Sequence, residues 1–142
     1  MIVQRPVLII EDDVNDSDVM KTAITELGVK NEVIIFSNAK DALEYLMVTE
    51  DRPLLILSDV RMPGLDGLTF LKSISSNDHL RKKSIPFVFF TVVINPDIVN
   101  TAYEMGVQGF FKKATNYMAL KDQLLAILIY WKQSIHPNSE IM

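Results

Sequence analysis

Four stretches of the chain are apolar at nearly every position: residues 6–10 (PVLII), 53–57 (PLLIL), 86–90 (PFVFF) and the shorter 109–111 (GFF). A fifth, 32–36 (EVIIF), lies between the first two. Unbroken hydrophobicity, in place of polar–apolar alternation, is the pattern of strands buried on both faces, hence of a parallel sheet covered by helices. Three of the runs open on proline, which is tolerated at the first position of a strand.

Segments of helical length separate these runs. Residues 14–27 are amphipathic and stop before Gly28, placed as a C-terminal cap. Asn38 is placed to cap 39–47, a third helix covers 68–75, and Asn95 with Pro96 opens a fourth that Gly106 ends. A last helix starts at Thr115 or Asn116 and runs to about Gln133. The charged run 79–83 (HLRKK) reads as a solvated loop. Strands alternating with helices at this spacing predict one α/β domain. Its crossovers are right-handed, and its size suits the flavodoxin-like order 2-1-3-4-5, a doubly wound five-stranded parallel sheet with five helices. The domain is assigned to residues 1–133, and 134–142 form a short tail.

Composition narrows the function classes. The 142 residues carry 14 basic and 18 acidic side chains, a net charge of −4, with no basic stripe, which argues against nucleic acid. No cysteine is present, so disulfides and zinc–thiolate sites are excluded. The first ten residues lack a signal-peptide pattern, and no apolar run approaches the roughly 20 residues that span a bilayer. A cytoplasmic location without membrane contact is expected.

The chemistry collects where strands end. Glu11, Asp12 and Asp13 follow the first strand, Asp59 the third, Thr91 the fourth, and Lys112 and Lys113 the fifth. The first and third strands flank the point where strand order reverses, so their acids converge there. Crowded carboxylates repel unless a cation offsets them, and Mg2+ takes hard oxygen ligands while keeping room for phosphate oxygens. A lysine and a hydroxyl at the same rim suit phosphoryl transfer, for which a carboxylate is a competent nucleophile. Asp59, alone on its strand, is the candidate. Asp13 reads as a solvated neighbour or a helix-start charge. Alternation along the strand sends one of Lys112 and Lys113 to solvent.

In their order, the motifs LIIEDD, LSDVRMPGLDG, the threonine closing FVFFT, and GVQGFFKKA resemble those of receiver domains of two-component response regulators, of the stand-alone chemotaxis type. The resemblance covers residues 6–133 or so. It implies that Asp59 accepts a phosphoryl group from a histidine kinase or phosphotransfer protein, with Mg2+ as cofactor. Asp12 and Asp59 then ligate the metal directly, Glu11 through water, and Arg61 through its backbone carbonyl. Thr91 matches the hydroxyl that closes on the phosphoryl group, Lys113 the lysine that contacts it, and Phe110 the aromatic switch position. Output is expected through a downstream protein bound at the last helices, a face that also suits a homodimer. Catalysis is limited to the domain's own phosphorylation and dephosphorylation.

Two positions depart from that pattern: Val92 stands where a small residue is usual, and Ala114 where a proline, commonly cis, follows the lysine. A cis bond to alanine costs roughly 3 kcal/mol. These departures keep a second reading in play, a receiver-like interaction module that works without phosphorylation. A third, a phosphomonoester hydrolase with an aspartyl-phosphate intermediate, fits poorly, because such enzymes place the nucleophile after the first strand. In the last helix Leu120, Leu124, Ile127 or Leu128, and Trp131 form a core stripe. Leu125, Ile129 and Tyr130 widen it into either a broader buried face or a partner surface. His79 and His136 read as surface, and the seven methionines as packing.

Overall fold

The computed structural model describes residues 5–92 and 94–136. Five strands, β1 (Val7–Ile10), β2 (Val33–Phe36), β3 (Leu55–Ser58), β4 (Phe87–Thr91) and β5 (Gly109–Lys112), form one all-parallel sheet in the order β2-β1-β3-β4-β5. Six helices connect and cover them: α1 (Val14–Glu26), α2 (Ala39–Val48), α3 (Gly67–Ser76), α4 (Asp78–Lys83), α5 (Pro96–Glu104) and α6 (Tyr117–Gln133). The predicted strand order is the observed one; the helix count is one higher.

The period of two along each strand sends alternate side chains into two separate cores. Leu8, Ile10, Ile56, Phe87 and Phe89 meet α2, α3, α4 and α5 on one face through Leu46, Phe70, Leu80 and Ala102. Val7, Ile9, Leu57, Val88 and Phe90 meet α1 and α6 on the other through Met20, Ile24, Leu124 and Leu128. Phe89 is fully buried at the centre of the first core, and its truncation to alanine costs about 3–5 kcal/mol. Every helix starts on an Asp or Asn whose side chain accepts a first-turn amide: Asp13, Asn38, Asp66, Asn77, Asn95 and Asn116. Asp13 is thus the helix-start charge that the sequence suggested.

The extra helix, α4, corrects the reading of 79–83 as a solvated loop. Its single apolar residue, Leu80, is buried, which was too little periodicity to register against the helix's five polar residues. Asn77 caps it, and the Lys83 ammonium donates to the Thr49 and Asp51 carbonyls at 2.7 and 3.1 Å. His136 is also corrected: it is buried, with a ring nitrogen 3.1 Å from the Trp131 carbonyl oxygen, whereas His79 is exposed. On α6 both Ile127 and Leu128 are buried, while Leu125, Ile129 and Tyr130 face solvent, Tyr130 at 64% exposure. The broader buried face is therefore excluded. Among the described residues no helix is long and apolar enough to cross a membrane. Of the predicted tail, residues 137–142 lie outside the described set.

Candidate functional site

β1 and β3 are neighbours, so the residues after Ile10 and Ser58 emerge together at the carboxyl end of the sheet. The Asp59 amide donates to the Ile10 carbonyl at 3.0 Å, which fixes the two exits against each other. Carboxylate oxygens of Glu11, Asp12 and Asp59 come within 4.8 Å of one another. Three oxygen donors this close, with no sulfur or nitrogen among them, fit a hard divalent cation such as Mg2+ or Mn2+.

Asp59 is partly buried and its two oxygens differ. Oδ1 accepts from the Thr91 hydroxyl at 2.6 Å and from the Val60 amide at 2.7 Å, while Oδ2 lies 4.0 Å from the Lys113 ammonium. β4, pairing with β3 on one side and β5 on the other, places Thr91 at its last position.

Lys113 follows β5, is only 6% exposed, and bonds Glu11 Oε1, with Asp16 Oδ2 at 3.7 Å. Lys112 is exposed, which resolves the alternation left open by the sequence. Glu11 is 3% exposed and its second oxygen accepts from the Asp13 amide at 3.1 Å. Burial pushes its carboxyl up to about 7, against the opposing effect of Lys113.

Asp12 is exposed at the rim, and Arg61 lies exposed in the turn beyond Asp59. That turn reaches α3 at Gly67, whose amide donates to the Val60 carbonyl at 2.7 Å. A β-carbon on Gly67 would stand 2.4 Å from the Asp59 carbonyl oxygen and 2.8 Å from the Phe89 ring, so only glycine fits. Phe110, half-buried, packs on Phe89 with centroids 5.5 Å apart, at the end of a ring series running through Phe87 to Phe70.

Val92 is 54% exposed and borders a groove of about 450 Å³ between α1 and the β5–α6 turn, shared with Asp16, Lys113 and Ala114. The bond between Lys113 and Ala114 is trans, as are all described peptide bonds. The structure thus gathers Glu11, Asp12, Asp59, Thr91 and Lys113 and leaves Arg61 in the adjoining turn. It adds Asp16 and the Val60 amide, which the sequence did not single out. An acid on the exposed face of a first helical turn, or a main-chain donor, leaves no distinctive residue pattern.

A doubly wound sheet with acidic and basic side chains gathered at its switch point is an arrangement suited to handling phosphate. The chain belongs to the response regulator receiver domain family, whose model matches residues 7–125. It is 28% identical over 136 residues to the response regulator Rcp1 of a Synechocystis species, covering 92% of this chain and 91% of that protein. Among solved structures it resembles the phosphorylated cyanobacterial phytochrome response regulator RcpA, with a TM-score of 0.86, 26% identity, and 96% and 100% of the two chains covered. It also resembles the Mn(2+)-bound form of Rcp1, with a TM-score of 0.82, 28% identity, and 94% and 99% covered.

Proposed function

We propose that the chain is a receiver that accepts a phosphoryl group on Asp59 from a phosphohistidine of a histidine kinase or phosphotransfer protein. The observation that carries this reading is the asymmetry of Asp59. One oxygen is occupied by Thr91 and Val60, and the other is turned toward an ammonium. Oδ2 attacks phosphorus, the P–N bond breaks, and its electron pair leaves on the imidazole nitrogen, which takes up a proton. The product is an acyl phosphate on Asp59.

Lys113 meets the charge on the phosphoryl oxygens, and the Thr91 hydroxyl leaves Oδ1 to bond one of them. Asp12 and Asp59 would hold Mg2+ directly, with Glu11 through water and Arg61 through its carbonyl. When bound, the ion offsets the carboxylate and phosphoryl charge. The manganese in Rcp1 and the phosphorylation of RcpA, at 28% and 26% identity, support carrying these roles over.

Movement of Thr91 then biases Phe110 and the surface formed by α5, β5 and α6. Leu125, Ile129, Tyr130 and Tyr103 are exposed there and suit a downstream protein or a second copy of the chain. The signalling unit is residues 1–133, with 134–142 a tail, and its location is cytoplasmic. The test is intact-protein mass after incubation with Mg2+ and acetyl phosphate. One added phosphoryl group in the wild type and none in Asp59→Ala is expected. No addition in either, with beryllofluoride also unbound, would favour the phosphorylation-independent module.

A further inference from the structure

Lys113 stands at the first residue beyond β5, where the chain turns toward α6; Glu11 holds its ammonium at one end, and the main chain sets where its stem begins at the other. We propose that Gln123, on α6, is the positioning residue for Lys113, an inference that rests on the reading of Asp59 as phosphoacceptor with Lys113 as its counter-charge. The Gln123 side-chain amide brackets the lysine. Its Oε1 accepts from the Ala114 amide at 2.9 Å, and its Nε2 donates to the Lys112 carbonyl at 2.7 Å. The peptide units on both sides of Lys113 are thus tied to one side chain. The lysine's own amide donates to the Thr91 carbonyl at 2.8 Å, which ties the same residue to β4.

Three main-chain anchors therefore define where the Lys113 stem leaves the backbone. Residue 114 contributes one of them because, as alanine, it carries an amide hydrogen; a proline at this position has none. Without Gln123, the main-chain bond that remains to the turn among the described residues is the one from Lys113 to Thr91. The peptide planes flanking Lys113 then rotate, and a small rotation at the backbone becomes a displacement of about 1 Å or more at the ammonium. Errors of that size are costly where charge must be met in a fixed geometry. The groove beside the turn, walled by Asp16 and Thr115, leaves room for such a movement.

The test compares wild type, Gln123→Ala, Gln123→Glu, Lys113→Met and the Gln123→Ala/Lys113→Met double variant. Four quantities are measured on each: amide exchange at residue 114, affinity for Mg2+ alone, affinity for beryllofluoride with saturating Mg2+, and melting temperature. In Gln123→Ala, exchange at Ala114 accelerates and beryllofluoride binds roughly three- to tenfold more weakly, the scale of one or two modest hydrogen bonds. Affinity for Mg2+ alone stays unchanged. Gln123→Glu keeps the acceptor and loses the donor, so it falls between. In the Lys113→Met background the Gln123 effect disappears.

Unchanged beryllofluoride affinity overturns the inference. So does a loss that persists without Lys113, or one that falls equally on Mg2+ and tracks the melting temperature. If the wild type binds Mg2+ and takes up no beryllofluoride, the reading of Asp59 fails and this inference fails with it, an outcome visible before any variant is compared.

Discussion

The Thr91 hydroxyl and the Val60 amide converge on the same oxygen of Asp59, at 2.6 and 2.7 Å, so the phosphoacceptor candidate presents one committed oxygen and one open one. Thr91→Val preserves shape and removes the hydroxyl. It should lower stability by about 1–2 kcal/mol, the loss of a hydrogen bond to an ionised acceptor. Thr91→Ser should restore most of it. Urea unfolding of the three proteins measures this, and equal midpoints would show that the bond contributes nothing.

The crowding of Asp59 against Glu11 and Asp12 sets up a second expectation. Asp59→Asn keeps an Oδ1 for Thr91 and Val60 while removing one of the three converging carboxylates. In chelator the variant should melt above the wild type, by about 1 kcal/mol of added stability. Excess Mg2+ should narrow or reverse the gap, because only the wild type offers the full donor set. Thermal melts with and without the ion decide it, and a variant less stable in chelator would contradict the repulsion.

Glu11 carries a pH dependence of unusual sign. Its carboxyl is raised from 4.5 to about 7 by burial, so between those values the folded chain holds a proton that the unfolded chain has released. In metal-free protein this group's contribution to stability is therefore present below pH 4.5 and lost as pH climbs toward 7. Glu11→Gln should flatten that part of the curve. Unfolding free energies at pH 5 and pH 8, taken as wild type minus variant, isolate it. A difference that grows more favourable to the wild type with pH would refute the assignment.

Gly67 and Gly64 should respond differently to the same change. At Gly67 a methyl group meets the Asp59 carbonyl at 2.4 Å and the Val60 α-carbon at 2.9 Å, so main chain must move. Gly67→Ala should cost about 2–3 kcal/mol and weaken Mg2+ binding by displacing Asp59. Gly64 has open space and only its φ of 79° to oppose a side chain, so Gly64→Ala should cost about 1–2 kcal/mol and leave Mg2+ affinity alone. Calorimetric titration with Mg2+ separates the two.

Strand order and the meeting of Glu11 and Asp12 with Asp59 were legible in the sequence because both follow from chain topology. Unbroken apolar runs imply a parallel sheet, and a parallel sheet brings the residues after its strands to one end. What was not legible depended on a single side chain. Leu80 alone buries α4, so its helix hides inside a charged run. His136 is covered where its ring meets Trp131 and that residue's carbonyl, a contact that leaves no pattern in the sequence. Gln123 is one of two glutamines on α6, and its two bonds depend on where that helix docks. The choice between Lys112 and Lys113 lay between these cases: alternation demanded that one turn inward, and the neighbouring Glu11 shows which.

All five strands run in one direction, so the candidate site residues stand together at the carboxyl end of the sheet, and the turn that ends α1 lies at the other. For protein engineering this divides the molecule into a working end and a handle. The turn at Gly28, with φ of 76° and nothing within 4 Å of the position a β-carbon would take, belongs to the handle. A fluorescent reporter or a second module spliced in there would ride on the domain while leaving the carboxylates, the hydroxyl and the lysine where the fold puts them.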